Sequence, residues 1–164
     1  MIPVRQLFDA PVLDDVPAAV RAETQKGIEL TGIQPGASVA IGAGSRGINA
    51  YDSICRETVA TLLAHGAEPF IFPAMGSHGG ATSEGQRTVL AHLGITEETM
   101  GCPIRSEIEP TQVDITSDGV PVFVDRNALA ADHVVLVNRI KTHADFRGVI
   151  ESGILKMGSI GMGK

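Results

Sequence analysis

Cysteine is scarce in this 164-residue chain: Cys55 and Cys102 are the pair it has, and their separation fits no metal-ligand motif. So sparse a pair reads as reduced packing residues rather than a disulfide, the habit of cytoplasmic proteins. Long apolar runs are missing as well. No stretch approaches the ~18 apolar residues of a membrane span. The N-terminus, MIPVRQLFDAPVLDD, lacks the basic start and unbroken apolar core of a secretion signal. A cytoplasmic protein that does not enter membranes is the expectation. Basic residues are in the minority, 13 Lys and Arg against 19 Asp and Glu for a net charge of -6. An acidic body is a poor nucleic-acid binder, because that binding depends on neutralising phosphates across a broad basic face. A Walker phosphate loop, a nucleophile elbow and a carboxylate metal cluster are also absent, which argues against phosphoryl transfer and hydrolysis.

The length suits one domain with a proper core. Charge within it is uneven: from Asn138 onward five basic residues face two acids, so this segment carries +3 against -9 for the preceding 137 residues. A small anion such as a carboxylate or phosphate, held locally, is the partner that pattern suggests; a solvated charged loop is the alternative.

Asp14-Asp15-Val16-Pro17 predicts a helix start, with an acidic cap and a proline where its missing N–H costs nothing. That helix runs to about Leu30. Ser38 to Ile41 is short, apolar and set between glycine-rich breakers, as a buried parallel strand would be. The helix that follows is the clearest: Tyr51, Ile54, Cys55, Thr58, Val59, Leu62 and Leu63 form one stripe at the helical period, and Gly66 closes it. Glu68 to Phe72 is the second strand, completing a βαβ unit whose strands are parallel. Ser83 with Gln86 has capping-box spacing for a helix through Leu93. Thr96 caps a short helix, and Gln112–Thr116 pairs with Val120–Asp125 as a hairpin across Ser117-Asp118-Gly119. After a short helix over 126–130, His133 to Val137 is the third buried strand. The expected fold is α/β: an open, mostly parallel, Rossmann-like sheet flanked by helices, with a small β-hairpin insertion.

In such a sheet ligands sit at the carboxyl ends of the strands. Those ends carry Gly42–Gly47, Ala74–Thr82 and Asn138–Gly148. Gly42, Gly44 and Gly47 fit a G-x-G-x-x-G spacing, yet Phe72-Pro73 stands where a dinucleotide fold needs an acid. The five histidines divide. His65, His92 and His133 have structural explanations at helix ends and a strand start. His78 and His143 lie in glycine-bearing loops, where a histidine can exchange protons on either side of a substrate or hydrogen-bond its own loop. Asp145 suits a helix cap near Phe146, with Arg147 pairing Glu151 and with Ile150, Gly153, Ile154 and Met157 as the buried stripe. Lys156 borders that stripe, where it can snorkel to solvent or act as a nucleophile. Arg139, Lys141 and Arg147 divide between solvated charge and anion binding.

The run KTHADFRGVIESGILKMGSIGMGK, with GSRG after the first strand and MGSHGGAT after the second, resembles the nickel-dependent lactate racemase family. The resemblance implies a nickel-pincer nucleotide, a pyridinium mononucleotide with two sulfur arms on nickel, whose ring carbon accepts and returns a hydride. It implies that His78, in Gly76-Ser77-His78, and His143 are the two acid/base residues. It further implies that Lys156 tethers the cofactor and that Arg46 holds the substrate or cofactor anion. Ala43 stands where the lactate racemase has an acid, and more residues separate His143 from Lys156, which points away from lactate to another 2-hydroxy acid or a sugar acid. The family's nickel-binding histidine follows its lysine, and no histidine follows Lys156. The chain is therefore expected to be part of the N-terminal domain of a longer two-domain isomerase, inactive and without cofactor by itself. Implied partners are a small hydroxy acid and the cofactor-synthesis enzymes, with a homo-oligomer left open. The other reading is a non-catalytic anion- or nucleotide-binding module of the same fold.

Overall fold

The computed structural model describes residues 3–5, 7, 11–45, 48–141, 147–149 and 151–164. Helix α1 (Val16–Thr31) opens on Asp15, whose carboxylate accepts from the Ala18 N–H, and ends on Gly32 in the left-handed conformation. Strand β1 (Ser38–Ala43) is followed by α2 (Tyr51–His65) and β2 (Glu68–Pro73). Strand β5 (His133–Val137) completes a parallel sheet of order β2-β1-β5. Its register aligns Ala43 with Pro73 on one side and with Val137 on the other, so the carboxyl ends of all three strands are level.

Both faces of β1 and β2 are covered, and their residues alternate as a period of two requires. Val39, Ile41, Ala43 and Ile71 belong to one cluster with Cys55, Val59 and Leu62 of α2 and with Leu90 of α3 (Ser83–His92). Ala40, Phe70 and Phe72 belong to the other, with Ala128 and Met157. Helix α1 lies on α2, where Arg21 and Glu57 pair at 3.1 Å. The α2 stripe is buried as expected at Tyr51, Cys55, Thr58, Val59 and Leu62. Leu63 departs from it, at 46% exposed, although Leu62 beside it is fully buried.

Helix α3 departs from the expected cap. Thr82, not Ser83, is the N-cap residue and accepts from Gly85 N, while the Gln86 side chain turns inward to other partners. Thr96 caps α4 (Glu97–Met100) in a reciprocal box with Thr99. Backbone bonds from Ile71 N to Pro103 O (2.9 Å) and from Arg105 N to Ile71 O (2.8 Å) add this segment beside β2. Strands β3 (Pro110–Ile115) and β4 (Pro121–Asp125) form the hairpin, turning through Gly119. Helix α5 (Arg126–Ala130) follows, capped by Asp125.

The end of the chain differs most from expectation. In place of a helix from Phe146, described residues 147–149 and 151–153 are irregular, and helix begins at Ile154 (α6, Ile154–Lys156) and passes into a π-helical stretch, Met157–Met162. Gly153 explains the late start: its backbone, at φ 87° and ψ -161°, is far from helical. Of the expected stripe, Gly153 and Met157 are buried and Ile154 is exposed. The proposed cap Asp145, Phe146 and Ile150 lie outside the described residues.

Candidate active site

Level strand ends bring the roots of three loops together, and Ala74 N donates to Ala43 O at 2.8 Å to couple two of them. Around them lies a cavity of about 520 Å3. Ser45 comes from the first loop and His78 from the second; Asn138, Arg139 and Lys141 come from the third, and Lys156 from α6. This is the carboxyl-end crevice where open parallel sheets bind ligands.

The second loop is held from behind. Gln86, 1% exposed, donates from Nε2 to Gly76 O at 2.8 Å and to His78 O at 3.3 Å. Gly79 is left-handed at φ 66° and lies so close to α3 that a Cβ there would be 2.5 Å from the Gly85 carbonyl carbon. In front, His78 Nδ1 is hydrogen-bonded to Ser45 Oγ, joining side chains 33 residues apart. Ser45's neighbour Gly44 donates its N–H to the Tyr51 hydroxyl at 2.5 Å. Burial pushes that hydroxyl well above its ordinary pKa, so it remains a neutral phenol.

The C-terminal stretch forms the remaining wall. Met157, buried, approaches Gly44, and a Cβ on Gly161 would lie 2.7 Å from Ala74 O. Lys141 is tied to the same wall, its N–H donating to Ser152 Oγ at 2.8 Å. Beyond the cavity, Lys164 Nζ is 3.3 Å from Asp125 Oδ2 and donates to Pro73 O at 3.3 Å. Asp125 is 1% exposed. Its Oδ1 caps α5, and Oδ2 has this ionic contact but no aligned hydrogen bond among the described residues.

Of the residues singled out from sequence, Gly76, Ser77, His78 and Lys156 line this one cavity. His143 and Arg46 lie outside the described residues. Arg139 and Lys141, left between solvent and anion, border the cavity, whereas Arg147 is not among its lining residues. Sequence reasoning missed Ser45, Gln86 and Asn138. A signal existed for Ser45, which sits two residues past a strand end between glycines. None existed for Gln86, whose spacing imitates a cap. Gly42 proves to be a packing glycine, since a Cβ there would meet Leu136 at 2.7 Å and Phe72 at 3.1 Å. None of the three other histidines lines this cavity: His65 Nε2 donates to Ile33 O at 2.8 Å, His92 lies in the last turn of α3, and His133 opens β5. Among the described residues no group of three His, Cys, Asp or Glu could hold a metal, and no helix is long and apolar enough to cross a membrane.

No family model matches this chain, and no curated protein matches it.

Proposed function

We propose that this cavity binds a small hydroxy-acid anion, and that the protein is a cytoplasmic racemase or epimerase of 2-hydroxy acids or sugar acids. The observation that carries the reading is the gathering of His78, Arg139, Lys141 and Lys156 around one crevice at the ends of three parallel strands. Inverting a 2-hydroxy carbon means removing its hydrogen and returning it to the opposite face, with the hydroxyl proton leaving and coming back in step. The cations on the third loop suit the substrate carboxylate. His78 takes and returns the hydroxyl proton, and His143, outside the described residues, is the second acid/base residue that the resemblance implies.

A nickel-pincer nucleotide, when bound, supplies the hydride acceptor that such a reaction requires. The described residues fit its organic part. Lys156 presents a primary amine, half-buried at the wall, for a covalent link, and Met75, Met157 and Ile160 give the same cavity apolar lining for a ring to lie against. No nickel ligand is assigned to this chain. The cofactor-synthesis enzymes are the implied partners.

Protein produced together with those enzymes tests the reading. Intact mass is expected to show a nucleotide-sized adduct that disappears in Lys156→Ala. Chiral chromatography of 2-hydroxy acids is expected to show interconversion that drops by about 10²–10⁴ in His78→Ala, the usual contribution of a general base. Undiminished interconversion in that variant sinks the acid/base assignment. Anion binding with neither adduct nor turnover favours the non-catalytic module.

A further inference from the structure

We propose that Ser45 is the positioning residue for His78, accepting a hydrogen bond from Nδ1–H so that the Nε2 lone pair is the one offered to the cavity. This rests on the acid/base reading of the site. Four observations carry it. First, the bond joins side chains from two different strand ends, at positions set by the level register of β1 and β2. Second, both residues line the same cavity, and Nε2 has no hydrogen-bond partner among the described residues. Third, the backbone on the His78 side is already fixed by Gln86 and by the close approach of Gly79 to α3. That leaves the ring torsions as the freedom still to be removed. Fourth, the Ser45 side is braced by the Gly44–Tyr51 bond, whose phenol stays neutral.

The chemistry gives the tautomer its importance. In a neutral imidazole one nitrogen is a donor and the other an acceptor, and the partner of one selects the role of the other. A base acting through Nε2 must carry its proton on Nδ1. A serine oxygen can accept that N–H both before proton transfer and after it, when both ring nitrogens are protonated, so the ring need not turn during the cycle. A hydroxyl oriented the other way, donating to Nδ1, would put the proton on Nε2 and leave His78 unable to act as a base there.

Nitrogen-15 NMR of the imidazole, recorded on this chain without cofactor, separates the two arrangements. Neutral His78 is expected chiefly in the Nδ1–H form, shifting toward the Nε2–H form in Ser45→Ala and returning in Ser45→Thr. In the cofactor-loaded protein, Ser45→Ala is expected to lower kcat by at least about tenfold with KM little changed, less than the ~10²–10⁴ loss expected on removing the base itself. A wild-type ring in the Nε2–H form overturns the proposal, as does a tautomer balance unmoved by Ser45→Ala. Covalent labelling of Ser45 by a fluorophosphonate would also overturn it, since it would make the serine a nucleophile served by His78. Because the NMR measurement needs no turnover, its failure is distinct from failure of the racemase reading.

Discussion

At the scale of single residues, the two cysteines show how burial decides chemistry. Cys55 is wholly buried on α2, and burial pushes its thiol up to about 12; Cys102 is buried beside β2 and is pushed up to about 11, again mainly by burial. Reaction needs the thiolate. Both thiols are therefore expected to resist a disulfide reagent at pH 8 in the folded protein and to react promptly in denaturant, which a timed thiol titration checks. Fast labelling of either one under native conditions would contradict this packing. Their reduced packing role was legible from scarcity and spacing alone. That His78 would face the crevice was legible for a different reason: a histidine in a glycine-bearing loop at a strand end has no core to fill. What spacing could not disclose was its partner, because Ser45 and His78 are neighbours only after β1 and β2 pair.

At the scale of elements, local signals served well wherever one residue makes the local structure. Asp15, Gly32, Gly66 and Thr96 cap where their chemistry predicts, and the Asp-Gly turn makes its hairpin. They misled where a tertiary demand competed. Gln86 has capping-box spacing, but its amide is buried and is worth more bonded to two carbonyls of the second loop than to a helix end exposed to water. The C-terminal element is the larger case: its apolar periodicity predicted a helix from Phe146, whereas Gly153 delays it and Gly161 sets how it docks. Gly161→Ala places a methyl against the Ala74 carbonyl, a backbone atom that cannot rotate aside. About 1–3 kcal/mol of destabilisation is expected, the usual range for overpacking. Anion affinity should weaken with it, because the wall carrying Lys156 moves away from the second loop. Urea unfolding and an acetate or lactate titration followed by NMR would read the two effects; wild-type values for both would show that the segment does not close the cavity.

At the scale of the whole molecule, the convergence of three loops was legible because parallel strands joined through helices can only open their carboxyl ends on one edge. How the separate strand ends are fastened was not, since it depends on contacts between residues far apart in sequence. One fastening joins the entries of β1 and β5. The Asp132 carboxylate accepts from Ser38 N at 2.8 Å and Ser38 Oγ at 2.7 Å, and Asp132 N donates back to that hydroxyl at 3.0 Å. The Ser38 hydroxyl, then its N–H, holds the Asp132 carboxyl below the usual range; Glu97 is lowered by the Ile104 N–H and Arg87, and Asp118 by Thr116. A carboxyl lowered by folding stabilises the folded state above its unfolded pKa, about 3.9 for Asp and 4.3 for Glu. That contribution disappears as pH falls through the lower folded value. Thermal stability is therefore expected to be level from neutral pH to about 5 and to decline below about 4. Asp132→Asn removes one of the three ionisations responsible. Its melting temperature should be lower than wild type at pH 7 and should converge toward wild type in acid, as thermal denaturation across pH 2.5 to 7 would show. Parallel curves for the two proteins would mean that the charge on Asp132 does not help to join β5 to the sheet, and that backbone pairing with β1 alone keeps the third loop in place.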